Sequence, residues 1–188
     1  MTAKNLQREL SVRIHRTVQQ YAGNKLTRQA AINHARKALS ETRVQVNRLA
    51  SEKVAAVLGR EMAPSKTTVD DLNNATAKRM QDFTQILIDH DSKPEATQNR
   101  VDLLVHDAVW RDYNQATTDT MASFVGILPV DEIPDYTFEW TTHPEETEKG
   151  PCADCDDMNG TEFTAEEVEG VEINEHPNCV CTWELVIY

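Results

Sequence analysis

Three observations predict a mainly α fold: an elongated helical N-terminal region of about four helices, followed by a small α+β module stapled by a metal ion. Through residue 125 the apolar residues recur every three or four positions, the period of a helix with one buried stripe. After Gly126 the pattern changes to prolines, carboxylates and alternating aromatic residues, which mark short strands and turns. All four cysteines fall in the last fifth of the chain, in two clusters that read Cys152-Ala-Asp-Cys155 and His176-Pro-Asn-Cys179-Val-Cys181. The chain therefore divides into a helical docking region, residues 1–126, and a Cys/His-containing acidic C-terminal module, residues 127–188.

Leu6, Leu10, Ile14, Val18 and Tyr21 form the stripe of a first helix, which Gly23 stops. A second begins near Thr27 and carries Ile32, Ala35, Leu39, Val46, Leu49 and Val57 on one face, with Gly59 and Pro64 at its end. Thirty helical residues make a rod of roughly 45 Å, long for a chain of this size. Thr68, with Asp71 three positions on, resembles the N-cap of a third helix whose stripe is Val69, Leu72, Thr76, Met80, Phe83 and Leu87. Pro94 starts a fourth, defined by Val101, Leu104, Val105, Ala108, Val109 and Ala116 and closed by Gly126. Tyr136, Phe138 and Trp140 then alternate along a strand with one aromatic face, and residues 182–188 read as a closing strand. Between the strands, Asn159-Gly160 marks a turn, and Thr164 caps a short acidic helix through Glu169.

A Cys-x-x-Cys pair facing a second short cluster supplies the sulfur ligands that zinc prefers, so Cys152, Cys155, His176, Cys179 and Cys181 are the candidate ligands of a structural zinc. Residues two apart on a strand point the same way, which would aim Cys179 and Cys181 at one ion, with His176 entering from the turn at Pro177. Five candidates compete for four places. Disulfides or inert buried thiols are the alternatives. A site with four or five protein ligands leaves no open position for a reacting water, which argues against catalysis by the metal. His15, His34, His90 and His106 are scattered on the helices without partners at ligand spacing, and no cofactor-binding or catalytic residues are assigned.

The net charge of -12 conceals a polarity. Residues 1–90 hold 15 basic against 8 acidic side chains, and residues 91–188 hold 4 against 23. The basic half, with Arg36, Lys37, Arg43 and Arg48 bordering the second stripe, suits an acidic surface or the DNA backbone; the acidic tail suits a basic partner. No apolar run approaches the ~20 residues that span a bilayer, and the first residues lack an apolar signal core, so a soluble protein with no membrane partner is expected.

Trp140-Thr-Thr, Cys152-x-x-Cys155, Asn159-Gly160 and His176-Pro-Asn-Cys179-x-Cys181 together resemble, in order and spacing, the C-terminal signature of the phage head morphogenesis, or Mu F-like minor capsid, family. The resemblance covers about residues 138–182 and is architectural only over the helices. Val180 departs from it, because the family usually has arginine there. The resemblance implies a minor capsid component of the virion, assembled in the host cytoplasm, associated with the portal or major capsid protein at the inner surface of the head and close to packaged DNA. It implies no catalysis. Two other classes compete with it. A zinc-containing DNA-binding protein would use the basic helices, and an HNH-like nuclease would use Glu175-His176-Pro177 but would need a further metal-positioning residue on a following helix.

Overall fold

The computed structural model describes residues 1–62, 66–91, 94–146, 150–171, 173 and 179–188, with the side chains of 66–72, 94–96 and 146 excepted. Five long or medium helices come first: α1 (Ala3–Ala22), α2 (Arg28–Leu58), α3 (Lys66–His90), α4 (Pro94–His106) and α5 (Asp112–Val125). The tail follows as β1 (Tyr136–Thr141), α6 (Ala153–Met158), β2 (Glu162–Phe163), α7 (Ala165–Val168) and β3 (Thr182–Ile187). The architecture is mainly helical with a small sheet, as the sequence predicts.

Local chemistry sets the helix ends. The Thr2 and Thr27 hydroxyls accept the N–H groups of Asn5 and Ala30. Gly59 ends α2 at φ 63°, a left-handed conformation that glycine adopts without Cβ strain. The expected cap at Thr68 is displaced: α3 already begins at Lys66, a good helix former that carries the first turn back past the threonine. The side chains of Thr68 and Asp71 lie outside the described residues.

The helix anticipated from Pro94 to Gly126 is interrupted by a π-turn, Asp107–Arg111, in which one extra residue is accommodated between α4 and α5. Arg79 of α3 is wedged against that turn. Its Nη2 donates to the Asp107 carbonyl at 2.8 Å, its Nε to the Asp107 carboxylate at 2.7 Å, and its Nη1 to Asp112 at 2.8 Å. Arg79 and Asp112 are both buried, while Asp107 reaches solvent. Burial is the largest influence on both members of the buried pair. The two carboxylates outweigh it for Arg79, whose pKa is raised; for Asp112 burial outweighs the guanidinium and pushes the carboxyl up to about 6.

The α2 helix is the centre of the bundle and packs on α1, α3 and α5. Its buried face includes Ala31, Ala35, Ala38 and Ala50, small side chains that let neighbouring helices approach. Leu6, Leu10 and Ile14 of α1, Leu39 and Val46 of α2, Phe83 and Leu87 of α3, and Val101 and Val105 of α4 form one apolar cluster. Val57, placed by its spacing on the α2 stripe, is 43% exposed because the helix there runs out toward its end at Gly59.

Three antiparallel strands in the order β2-β1-β3 build the sheet of the tail. The aromatic face of β1 is real: Phe138 and Trp140 are buried, and Trp140 meets Trp183 of β3 edge to face at 5.4 Å. Val54 of α2 and Met121 and Phe124 of α5 join these residues in a second apolar cluster, so the tail rests directly on the helical bundle. Thr164 caps α7 through a reciprocal capping box with Glu167. The sequence reading did not anticipate β2.

Candidate metal centre

Two chain segments bring three thiols together. Cys155 lies in the first turn of α6, and Cys179 and Cys181 lie on the run that leads into β3. Their sulfurs are all within 4.8 Å of one another, all three residues are buried, and the group can hold a metal ion. The Cys155 and Cys179 sulfurs are 3.6 Å apart. Two thiolates on one tetrahedral zinc, each at ~2.3 Å, would sit ~3.8 Å apart, whereas a disulfide would require ~2.05 Å. The separation matches ligands sharing an ion, and none of the four cysteines is in a disulfide.

The local backbone explains the convergence. Cys152 is the N-cap of α6, with extended φ and ψ, and its sulfur accepts the Cys155 N–H at 3.4 Å. One helical turn therefore folds the second cysteine back toward the first, and the Cys152 thiol is a hydrogen-bond neighbour of the Cys155 thiol. On the other segment the side chains alternate. Cys179 and Cys181 enter the apolar cluster of the tail, while Val180 between them enters the cluster of the helical bundle. The two thiols share a face as the sequence predicts, although they precede β3 instead of lying within it.

Of the five candidate ligands, Cys155, Cys179 and Cys181 converge, half-buried Cys152 adjoins them through Cys155, and His176 lies outside the described residues. Glu175 and Pro177 lie outside them as well. Burial first, and then the hydrogen bond with Cys152, push the Cys155 thiol up to about 12. Cys181 is also raised, chiefly by its hydrogen bond with Cys179 and then by burial. Sulfurs crowded in so dry a site favour their protons, and a soft divalent cation that replaces those protons suits the donor set.

The sequence reading missed the polar groups that hold this segment. Asn114 of α5 spans it like a short length of backbone: its amide Nδ2 donates to the Cys181 carbonyl, and its Oδ1 accepts the Trp183 N–H, both at 3.0 Å. The His106 Nε2 meets the Cys179 carbonyl. His143 contacts the Thr182 hydroxyl at 2.8 Å through its Nε2. On the strand itself, Lys53 of α2 pairs with Glu184 at 2.5 Å. Thus His106, with no sequence neighbour at ligand spacing, acts on the backbone of the cysteine segment. No spacing in the sequence marks His106, Asp112 or Asn114: each is a polar residue inside the stretch that reads as one helix, and its burial comes from tertiary packing.

No family model, curated protein or solved structure matches this chain.

Proposed function

We propose that this protein is a minor capsid or head morphogenesis component of a virus, a structural and assembly protein whose thiol cluster binds zinc. The observation that carries the reading is the three-thiol cluster at the seam between tail and bundle, formed by the residues on which the Mu F-like resemblance rests. Bound zinc would supply a structural tie between α6 and the lead into β3, contributing folding free energy to the small tail. Cys155, Cys179 and Cys181 would be ligands, with Cys152 or His176 the candidates for the remaining place.

Several features favour mechanical attachment. The tail is fixed to the helices by apolar contact and by Asn114, which gives a partner one continuous body to grip. Its carboxylates offer a surface for a basic patch on the portal or major capsid protein. Lys37 and Arg48, exposed on α2, pair with Glu41 and Glu52 one turn on, which weakens the case for DNA reading by this face.

The test is co-assembly. With the portal and major capsid protein, this chain should co-purify with particles at low copy, and particles made without it should be defective. Absence of association, together with normal particles in its absence, would overturn the proposal.

A further inference from the structure

A cleft of about 430 Å³ opens at the seam between bundle and tail, and its described lining holds none of the four cysteines. Leu49 of α2, Trp110 of the π-turn and Tyr113 of α5 give it apolar and aromatic walls. Lys4 of α1, Lys53 of α2 and His143 of the tail bring polar groups to it. Mostly apolar walls with a few placed polar groups, at this volume, are the usual form of a small-molecule site.

Tyr113 is 5% exposed, and its hydroxyl has no hydrogen-bond partner among the described residues. Buried phenols ordinarily find one. Unlike the Trp140 indole nitrogen, the Tyr113 oxygen is not sealed in, and it opens on the cleft that its side chain lines. Burial, and then the Glu184 carboxylate, raise its pKa, so it stays protonated and offers a hydrogen. Two ammonium groups are held nearby: the Lys53 Nζ pairs with Glu184 of β3 at 2.5 Å, and the Lys4 Nζ donates to the Glu145 carbonyl at 3.0 Å. Glu52, the carboxylate in the described lining, is engaged by Arg48 at 2.6 Å. The Trp110 Nε1 donates to Gln7 at 2.8 Å, and the His143 ring lies 6.4 Å from the indole, tilted by 33°. An open hydroxyl donor, two lysines and aromatic walls together suit an anion carried on a flat apolar body.

We propose that this cleft binds an aromatic carboxylate, its ring against Trp110 and its carboxylate taken by the Tyr113 hydroxyl and the Lys53 ammonium. Such a ligand touches α2, α5 and the tail at once, and so stiffens the seam. The site uses neither the thiol cluster nor any capsid partner.

The full-length reduced chain is titrated with hydrocinnamate and followed by proton–nitrogen correlation NMR. Saturable shifts are expected at the Trp110 indole and the Tyr113 amide. Hydrocinnamide, with the same ring and no charge, should bind about tenfold more weakly. Tyr113→Phe, which removes only the hydroxyl, should weaken the acid about tenfold, and Lys53→Ala several-fold, with far-ultraviolet dichroism unchanged. Absence of saturable shifts, shifts confined to other parts of the chain, equal binding of acid and amide, or unchanged affinity in both variants would overturn the proposal. If Tyr113→Phe misfolds, Lys53→Ala and the amide comparison decide. N-acetyl-alanyl-phenylalanine identifies the source of the carboxylate: binding tighter than that of hydrocinnamate assigns it to the end of a peptide chain, and weaker binding to a free acid. Failure of the chain to associate with capsid proteins would refute the proposed function and leave this site standing.

Discussion

Replacing Arg79 by methionine tests the buried charge arrangement behind the π-turn. The guanidinium bonds Asp107 and Asp112, and Asp112 is as buried as the arginine. Even with Arg79 present, the Asp112 carboxyl is held at about 6. Against an ordinary value of ~3.9, keeping it ionised at pH 7 costs the folded state about 3 kcal/mol. Without the guanidinium the carboxylate must remain uncompensated or take up a proton, so Arg79→Met should lower stability by about 3 to 5 kcal/mol at pH 7. That is a large part of the ~5 to 15 kcal/mol that holds a typical domain together. Asp112→Asn added to Arg79→Met should restore about half of the loss, because the stranded charge is gone. The pH dependence has a definite sign. A carboxyl raised in the folded state binds more protons there than in the unfolded chain, so its contribution is most favourable below the unfolded pKa and is lost as pH rises through about 6. The deficit of Arg79→Met should therefore shrink as pH is lowered from 7 toward 5. Urea unfolding followed by far-ultraviolet circular dichroism measures all of this. A loss under ~1 kcal/mol at pH 7, or a deficit that grows on acidification, would refute the reasoning.

Asn114→Ala leaves the buried Cys181 carbonyl and Trp183 N–H without their partner and should cost about 2 to 4 kcal/mol, read by urea unfolding. Val180→Arg, which introduces the residue the Mu F-like family usually carries, should destabilise by about 2 kcal/mol or more and expose the tail to protease, because Val180 faces the apolar cluster of the bundle. Lys53→Ala should change stability by less than ~1 kcal/mol, since its pair with Glu184 is over a third exposed on both sides. Cys155→Ser should make the tail protease-sensitive while far-ultraviolet dichroism still reports the long helices.

Helices that bury one clean stripe were legible in the sequence. Leu6, Leu10 and Ile14, or Phe83 and Leu87, repeat at the helical period and are buried as expected. The alternation of Phe138 and Trp140 identified β1, and the Cys-x-x-Cys and Cys-x-Cys spacings placed the converging thiols. The π-turn was not legible: one additional residue shifts the helical phase by about 100°, but Ala116 is the one stripe position assigned beyond the turn, too few to register the shift. Arg79 reads as a surface residue between turns, and its burial depends on two aspartates 28 and 33 positions away. The role of Val180 was also hidden: an apolar residue between two cysteines reads as a gap in a family motif, and only the packing of tail on bundle gives it a partner. The polar contacts of Asn114 and His106 depend on that same long-range approach, between positions 67 to 73 apart.

Metal content of the full-length chain, purified under reducing conditions without added metal, tests the central claim most directly. A single zinc per chain, lost together with protease resistance of the tail when a chelator is added, is the expected result. A well-folded, protease-resistant protein with no bound metal and four titratable thiols would contradict it.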